Sequence, residues 1–285
     1  MLTDEVIEYL ALQPGERYLD CTVGSGGHSA AILKRIIPNG KLIGLDQDEE
    51  MLSLARERLK NYKKNLELIR GNFSELKKII SEKDGFAGIL YDLGLSLFQI
   101  LKKERGFSFM VDGPLDMRMN QRQNLTAEQV VNESSEEKLI QILKEYGEEY
   151  YAPRIVSAII RGRKSSPIST TFQLKRIVTS AVPKRKKRIH PATKTFQALR
   201  IAVNRELESL EGSLPQAINL LEKKGRILVI SFHSLEDRIV KQSFRKFAES
   251  KLLKIITRSP LIPTRMEHCI NPHARSAKLR VAEKL

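Results

Sequence analysis

The segment RYLDCTVGSGGHS at positions 17–29 decides the fold expected for the first part of the chain. It passes from a short β-prone run through a glycine-rich turn into an apolar helical pattern. Glycines allow the backbone to turn tightly and to approach a ligand, and a helix N-terminus offers free N–H groups. Because Ser29 stands at the third glycine position of the GxGxxG fingerprint, the turn matches a dinucleotide site incompletely. The turn could bind a nucleotide-like ligand or could be purely structural, and the segment alone does not decide between the two.

Three further β-prone runs follow at regular distances. They cover residues 41–46, 66–70 and 86–92, with helical patterns at 49–61 and 74–81 between them. Strands that alternate with helices of this length form βαβ units, in which right-handed crossovers join parallel strands. The first third of the chain is therefore predicted to form a parallel α/β sheet.

The regular spacing of strands is then interrupted. The next convincing buried strand, at 226–232, ends 140 residues after Asp92. One α/β unit needs only about a fifth of that distance, so roughly a hundred residues are inserted here. Within the insert, apolar residues follow helical spacing at 126–131, 136–146, 154–161 and 171–181.

These patterns predict a sheet domain with a helical domain inserted into it. We expect the sheet domain to cover 1–104 and 191–285, and an all-helical domain to cover 105–190. A long helix at 193–210 is assigned to the sheet domain. The strands predicted at 252–257 and 277–283 are joined by a loop, which is typical of an antiparallel hairpin that closes a mostly parallel, seven-stranded sheet.

The charge of the chain points to a polyanionic partner. Lysine and arginine number 49 against 34 aspartate and glutamate, which gives a net charge of +15. From Arg154 to Arg205 there are fourteen basic residues and no acidic one, and five of the fourteen form the run Lys184, Arg185, Lys186, Lys187 and Arg188. This distribution favours a phosphate-binding surface, and nucleic acid over a membrane surface, although a solvated basic loop is the alternative for the run alone.

Several classes of protein are excluded by composition. No apolar run approaches the ~18–20 residues of a membrane span, and the acidic N-terminus has no secretory signal, so a cytoplasmic protein is expected. Cys21 and Cys269 are the two cysteines, which argues against a disulfide scaffold or a zinc ribbon. No pair of histidines has a ligand spacing, so no metal site is predicted.

Asp46 strengthens the case for a nucleotide-like ligand. It ends the second predicted strand, twenty residues after Gly26, where a carboxylate can accept hydrogen bonds from both ribose hydroxyls. This arrangement suits NAD and S-adenosylmethionine equally well. A dehydrogenase usually has a second mononucleotide-binding half, whereas this chain has a basic insert and a terminal hairpin. The combination favours a methyltransferase that acts on nucleic acid.

Asp92 is the candidate catalytic residue. It ends the fourth predicted strand, where a cofactor bound at the switch point of the sheet would present its reactive atom. The lone pair of an exocyclic amino group is delocalised into the base, and an acceptor bonded to its N–H draws the nitrogen toward tetrahedral geometry. The alternative is that Asp92 only caps the segment that follows.

Seven motifs are spread over nearly the whole chain. They are LDCTVGSGGHS at 19–29, RGFSF at 105–109, GPLDMRM at 113–119, HPATKTFQA at 190–198, NREL at 204–207, ISFHSLEDR at 230–238 and NPHARS at 271–276. Through these motifs the chain resembles the bacterial small-subunit ribosomal RNA cytosine-N4 methyltransferases, which modify a cytidine in the decoding region of 16S rRNA.

This resemblance implies a class I S-adenosylmethionine-dependent methyltransferase, Rossmann-like, with an inserted helical substrate-binding domain. The cofactor would be S-adenosyl-L-methionine, with S-adenosyl-L-homocysteine as product, and the partner 16S rRNA within the small ribosomal subunit. One departure is the segment DLGLSLFQ at 92–99, where the family usually has DLGVSSPQ. The cofactor contacts carried over are Gly26, Gly27, His28, Asp46, Phe73, Asp92 and Gln99.

Other roles remain less defined by the sequence. Phe73 could lie against adenine or simply belong to the core, and Asp116 could pair with Arg118 or bind substrate. Water or Asp92 can take the proton after methyl transfer, so His190 and His233 are weak candidates for a general base. For RNA positioning we single out Arg118, the run from Lys184 to Arg188, His190, Lys194 and Asn204, with helix capping and surface charge as the alternative.

Two other functions are weighed against this one. A methyltransferase for DNA of this chemistry would be expected to carry a Pro-Pro-Tyr or Pro-Pro-Phe cluster after the fourth-strand acid, and the sequence has none there. A small-molecule amine or another RNA as substrate, and a non-catalytic RNA-binding module, are further alternatives. The sequence leaves the oligomeric state open, a homodimer included.

Overall fold

The computed structural model describes residues 1–81, 85–183 and 189–285. They divide into two compact units. The sheet unit comprises Met1–Gly94 and Leu207–Leu285, and the helical unit comprises Leu95–Glu206.

The sheet unit is built on a seven-stranded sheet, counted over the described residues, in the order β3-β2-β1-β4-β5-β7-β6. Strands β1 to β5 run parallel to one another, and β7 is antiparallel to both β5 and β6. This confirms the predicted mostly parallel sheet with its antiparallel C-terminal hairpin. The strands are β1 (Arg17–Asp20), β2 (Lys41–Asp46), β3 (Leu66–Arg70), β4 (Phe86–Asp92), β5 (Leu221–Ser231), β6 (Leu253–Ile255) and β7 (Lys278–Lys284).

The helices are numbered along the chain. Three of them, α11 to α13, return the chain to the sheet unit after the helical unit, and α13 lies in the connection that was predicted to be a loop. The helices are α1 (Thr3–Leu10), α2 (Gly27–Ile36), α3 (Glu49–Arg58), α4 (Leu76–Ile79), α5 (Leu97–Leu101), α6 (Ala127–Glu133), α7 (Glu136–Glu145), α8 (Ala152–Ser165), α9 (Thr171–Ala181), α10 (Ala192–Asn204), α11 (Glu206–Leu220), α12 (Ser234–Glu249) and α13 (Arg265–Ile270).

Both faces of the sheet are buried, as expected for parallel strands with helices on both sides. Successive residues of a strand point to opposite faces, so neighbours in β4 enter different cores. Ile89 and Tyr91 belong to one apolar cluster, together with Val229 of β5. Leu90 belongs to the other, together with Leu228. The strand ends are thereby held firmly at the carboxyl edge of the sheet.

The helical unit has a core of its own, which runs from Phe107 to Val203 in sequence. Helix α10 packs on α6, α7 and α9 through its buried side chains Phe196, Leu199 and Val203. The unit is therefore longer at both ends than the predicted 105–190. Among the described residues, no helix combines the length and apolar character that a bilayer span requires.

The helix predicted as continuous over 193–210 is two helices. Arg205 adopts a left-handed conformation with φ at 49°, and this residue separates α10 from α11. The two halves face different cores, because Leu199 belongs to the helical unit while Leu210 and Leu214 are buried against the sheet. The interruption lets one amphipathic stretch serve two hydrophobic cores.

Candidate active site at the carboxyl edge of the sheet

The candidate site lies where the order of the sheet reverses. Strand β1 has β2 on one side and β4 on the other, so successive connections leave it in opposite directions. A crevice opens at such a switch point beyond the carboxyl ends of the strands. Asp20, Asp46 and Asp92 are the last residues of β1, β2 and β4. Three carboxylates are thus brought to one edge of the sheet.

The glycine-rich loop is tied to the neighbouring strands by its backbone. The Cys21 N–H donates to Leu90 O and the Val23 N–H donates to Leu45 O, both at 2.9 Å. Gly24 and Gly26 have positive φ values of 52° and 82°, which L-residues with side chains rarely adopt. A Cβ built on Gly24 would meet no heavy atom within 4 Å. The loop therefore has an open side, and this fits a ligand cradle.

Asp46 is held by two backbone donors. Its Oδ2 accepts from the Gly24 N–H at 2.8 Å, and its Oδ1 accepts from the Asp48 N–H at 2.9 Å. Burial raises the pKa of Asp46 to about 6, although both hydrogen bonds lower it. At pH 7 the group is therefore mainly ionised. It retains the lone pairs that the predicted interaction with ribose hydroxyls requires.

Asp20 is a site residue that the sequence analysis did not single out. Its side chain is buried, its Oδ2 accepts from the Ser29 hydroxyl at 2.7 Å, and its Oδ1 accepts from the Thr22 N–H at 3.1 Å. Burial raises the pKa of Asp20, and these hydrogen bonds and the nearby His28 lower it. Asp20 joins the end of β1 to the first turn of α2. Its position at a strand end, like that of Asp46, was the signal available in the sequence.

His28 and Asp92 form the central pair of the site. His28 Nε2 lies 3.3 Å from Asp92 Oδ2, with the two side chains 10% and 23% exposed. The Asp92 N–H donates to Thr22 Oγ1 at 2.6 Å, which fixes the strand end. Asp92 Oδ1 and His28 Nδ1 are buried and have no hydrogen-bond partner among the described residues. The pair thus leaves one carboxylate oxygen ready to accept from a ligand.

The geometry argues against the alternative that Asp92 is a helix cap. The N-cap of α5 is Ser96, whose Oγ accepts from the Gln99 N–H at 3.2 Å. Gln99 Oε1 accepts in turn from the Ser96 N–H at 3.0 Å, and its side chain is buried in the helical unit. This capping box gives Gln99 a structural task. Its predicted contact with the cofactor stays a prediction.

Phe73 is half-buried in a short 3₁₀ segment that follows β3. The edge of its ring packs against Tyr91, with the ring centroids 5.5 Å apart and the planes at 71°. The local turn is fixed by Asn72, whose Oδ1 accepts from the Ser74 N–H at 2.9 Å. Phe73 therefore combines a packing role with a partly accessible ring. Its predicted contact with adenine remains a prediction.

Arg118 is largely occupied inside the helical unit. Its Nη2 lies 2.7 Å from Asp116 Oδ2, so the pairing considered from the sequence is present. Its Nη1 donates to the carbonyl oxygens of Gln121 and Gln123 at 3.2 and 2.7 Å. The ion pair with Asp116 raises the pKa of Arg118. These contacts fold the loop around Arg118, and leave little of the guanidinium for RNA.

Asn204 is buried at the end of α10. Its amide nitrogen donates to Met117 O at 2.7 Å and to Arg200 O at 2.9 Å, and its Oδ1 accepts from the Met119 N–H at 2.7 Å. The side chain therefore holds the loop that contains Met117 and Met119. The structure places Asn204 in the interior, against the predicted contact with RNA.

The remaining residues predicted to bind RNA differ in their surroundings. Lys194 Nζ donates to Glu148 O at 2.6 Å, and His190 stacks on Phe109. The run from Lys184 to Arg188 lies outside the described residues. His233 caps α12, and its Nε2 lies 3.2 Å from Glu236 Oε1, which favours a structural role over that of a base.

The chain is similar over its whole length to a known protein family. The model of the family described as MraW methylase matches residues 1–285. Two relatives named ribosomal RNA small subunit methyltransferase H are each 48% identical to the chain. The one from Geobacter sulfurreducens aligns over 99% of this chain and 96% of its own length. The one from a Sulfurihydrogenibium species aligns over 100% of this chain and 98% of its own length.

A solved structure shares the fold. It is that of a Streptococcus mutans protein in complex with SAH, and it matches with a TM-score of 0.50 at 12% identity. The match covers 100% of this chain and 98% of that protein. At this level of identity the likeness concerns the fold alone.

Proposed function

Because the chain belongs to the MraW methylase family, we propose that it transfers a methyl group from S-adenosylmethionine to the exocyclic N4 of a cytidine in the decoding region of 16S ribosomal RNA. The relatives named as small subunit rRNA methyltransferases support this substrate. We further propose that the small ribosomal subunit is the form in which the RNA is bound, and that the protein acts in the cytoplasm.

One observation in the structure carries this proposal. Asp92 Oδ1 is buried at the switch point of the sheet and has no partner among the described residues. A buried carboxylate oxygen without a donor is unfavourable, and it gains most from a ligand that brings an N–H group. The exocyclic amino group of cytosine is such a donor. The site therefore suits amino-group chemistry better than transfer to a carbon or a carboxylate.

The residues at the strand ends fit the proposed cofactor. When bound, S-adenosylmethionine supplies an electrophilic methyl group, which the attacking nitrogen accepts as the carbon–sulfur bond breaks. Gly26, Gly27 and His28 would line its path along the open side of the loop, and Asp46 would accept from the ribose hydroxyls. Phe73 would lie against the adenine, and Gln99 would be a further contact of the cofactor.

The chain's own contribution to the reaction is to prepare the nitrogen. Asp92 Oδ1 accepts a hydrogen bond from the cytosine amino group, which draws the N4 lone pair out of conjugation with the ring. His28 Nε2 lies 3.3 Å from Asp92 Oδ2, where it can donate to this oxygen and keep the carboxylate in one orientation. N4 becomes more acidic once methylated, so its proton can pass to Asp92 or to water afterwards.

We assign the two units different parts of this task. The sheet unit would hold the cofactor, and the helical unit would bind RNA. The stretch from Arg154 to Arg205, with fourteen basic residues and no acidic one, falls wholly within the sequence range of the helical unit, which ends at Glu206. Such a density of positive charge supports contact with phosphates. The run from Lys184 to Arg188 is included among the proposed RNA contacts because of its positive charge alone.

The test is a methyl-transfer assay with a defined RNA. The protein is incubated with radiolabelled S-adenosylmethionine and small ribosomal subunits from cells that lack the activity, and the labelled nucleoside is identified by mass spectrometry. We expect label in N4-methylcytidine of the decoding region. Naked 16S rRNA in a parallel reaction shows whether the assembled subunit is needed. Binding of S-adenosylmethionine by calorimetry without transfer to either substrate would contradict the proposal and support a non-catalytic RNA-binding module.

A further inference from the structure

The helical unit contains an aromatic cluster that the proposed reaction does not use. The rings of Phe109 and His190 are stacked, with centroids 4.7 Å apart and planes at 25°. Phe196 meets Phe109 in an edge contact, with centroids 5.1 Å apart and planes at 73°. Phe196 is buried, whereas Phe109 and His190 are half-buried. The cluster is thus anchored in the core at one end and reaches solvent at the other.

A cation accompanies the aromatic rings. Lys175 Nζ lies 5.8 Å from the centroid of Phe109 and 5.1 Å from that of Phe172. Burial lowers the pKa of His190, and the charge of Lys175 lowers it further. The imidazole is therefore mainly neutral at pH 7 and presents an uncharged aromatic ring. The positive charge of the cluster resides on Lys175.

The orientation of His190 is fixed by the start of α10. Its Nδ1 accepts from the Ala192 N–H at 3.1 Å, so the neutral ring carries its hydrogen on Nε2. Nε2 has no hydrogen-bond partner among the described residues. One face of the ring is covered by Phe109, and the half-buried ring keeps further surface toward solvent. His190 therefore combines a fixed ring plane with an accessible donor.

We propose that Phe109, His190 and Lys175 form a stacking site for one unpaired base of the RNA, separate from the cytidine that is methylated. This inference rests on the proposed function, because it takes RNA as the substrate. Single-stranded RNA is commonly bound by aromatic rings on which bases stack, with basic side chains near the backbone. Here the base would extend the stack of His190 on Phe109, and Lys175 would add positive charge beside it.

The surroundings favour RNA over a protein partner. All members of the cluster except Phe109 lie between Arg154 and Arg205, the stretch that has basic residues and no acidic ones. Met110, next to Phe109, is 70% exposed, so this segment offers apolar surface beside the ring without being covered by the helical unit. Asp112 accepts, at 3.0 Å, from the N–H of Phe172, whose ring lies under Lys175. Apolar contact beside a basic stretch is the chemistry that a nucleobase followed by phosphate requires.

Three substitutions of His190 separate stacking from helix capping. His190→Asn keeps an acceptor for the Ala192 N–H but removes the ring, His190→Phe keeps a ring but removes the acceptor, and His190→Ala removes both. Tyr150→Ala is the matched control, because Tyr150 is an aromatic residue of the same unit that is 85% exposed and contacts Tyr151 rather than the cluster. Thermal unfolding and S-adenosylmethionine affinity, measured for each variant, report on the fold.

The readouts are the dissociation constant for small ribosomal subunits and the KM and kcat of methyl transfer. Loss of one stacked base should weaken RNA binding about tenfold. We expect His190→Asn and His190→Ala to raise the dissociation constant and KM by that factor with kcat nearly unchanged. His190→Phe, which keeps a ring but loses the acceptor that orients it, should retain most of the RNA affinity, and Tyr150→Ala should behave as the parent. If His190→Asn binds like the parent and His190→Phe is the weak variant, capping explains His190 and the stacking site is refuted.

The result can be distinguished from a failure of the proposed function. If the parent methylates no cytidine of 16S rRNA, the proposed function fails, whatever the variants do. If the parent methylates and all His190 variants bind RNA equally, the stacking site alone fails. A series of oligonucleotides that each carry one unpaired 2-aminopurine at a different position gives a direct check. Stacking should quench the fluorescence at one position with the parent and with His190→Phe, but not with His190→Asn.

Discussion

Asp92 and Asp116 are both acids within recognisable motifs, yet the structure treats them differently. Asp116 accepts hydrogen bonds from Arg118 with both carboxylate oxygens, so its capacity is used within the loop. Asp92 has His28 at one oxygen and no partner among the described residues at the other. A polar residue in a motif therefore supports the fold when its atoms are satisfied internally. Such a residue is available for chemistry when one of its buried polar atoms has no hydrogen-bond partner within the protein.

Removal of Asp92 should have the largest effect on the reaction. We expect Asp92→Ala to reduce the rate of methyl transfer by about 10²–10⁴-fold, because N4 then lacks its acceptor. Affinity for S-adenosylmethionine should stay within several-fold of the parent. Single-turnover kinetics and calorimetry measure the two effects. Asp116→Ala is the control, and turnover by Asp92→Ala at the parent rate would refute the catalytic role.

Asn204 tests the opposite case, that of a satisfied motif residue. Asn204→Ala leaves the buried Met117 carbonyl and the Met119 N–H without their partner, and each such loss costs about 1–3 kcal/mol. The free energy of unfolding should therefore fall by about 2–6 kcal/mol. Urea unfolding followed by circular dichroism measures it. An unchanged stability together with a weakened affinity for RNA would restore the predicted RNA contact.

His28 acts through Asp92, so its removal should have a smaller effect than the removal of Asp92 itself. His28→Ala should lower kcat by about tenfold to a hundredfold, since the carboxylate loses the donor that orients it. His28→Gln can offer an N–H to Asp92 and should recover part of the rate. A pre-steady-state assay at saturating S-adenosylmethionine separates this effect from cofactor affinity. Equal rates for the Ala and Gln variants would show that the 3.3 Å contact does not orient Asp92.

Asp46 predicts a pH dependence of cofactor binding. Its pKa is raised to about 6 by burial, and the ionised form is the acceptor for ribose hydroxyls. As the pH falls from 7 to 5 the ionised fraction drops, and the affinity for S-adenosylmethionine should fall about tenfold. Calorimetry at three pH values measures this. The profile of Asp46→Asn should be weaker and flat, and an identical profile in both proteins would exclude Asp46 as its origin.

The smallest effect is expected from the basic run. Replacing Lys184 to Arg188 with serine should reduce the salt dependence of RNA binding, since the logarithmic slope falls by about 0.7–0.9 for each phosphate that the protein no longer neutralises. Titrations with small ribosomal subunits at several salt concentrations give the slope. A slope equal to that of the parent would mean that the run is only solvated.

Much of the fold could be predicted because it depends on local patterns. Alternating β-prone and helical segments indicated the parallel sheet, and their interruption after Asp92 revealed the insert. The break at Arg205 could not be predicted, because the apolar spacing continues through it at Leu207 and Leu210. Helical periodicity shows that one side is buried, but it does not show that two different cores bury its two halves.

The site was predicted in part for a similar reason. Asp46 and Asp92 were recognised by their positions at strand ends, and Asp20 occupies the same kind of position but was passed over. Arg118 and Asn204 were assigned to RNA because their motifs are polar. Their internal partners, Asp116 and the backbone of Met117, depend on loop geometry that residue types alone do not specify.

The insertion of the helical unit between β4 and β5 has a consequence for synthesis on the ribosome. These strands are neighbours, with Asp92 opposite Ile230, but the whole helical unit is translated between them. Until β5 emerges, the backbone N–H and C=O groups along one edge of β4 are unpaired, and such an edge invites intermolecular pairing. A helical unit with its own core can fold during this interval and shorten the effective distance between the two strands. Because β4 is translated long before β5, the nascent chain is most prone to aggregation while the helical unit between them is being synthesised.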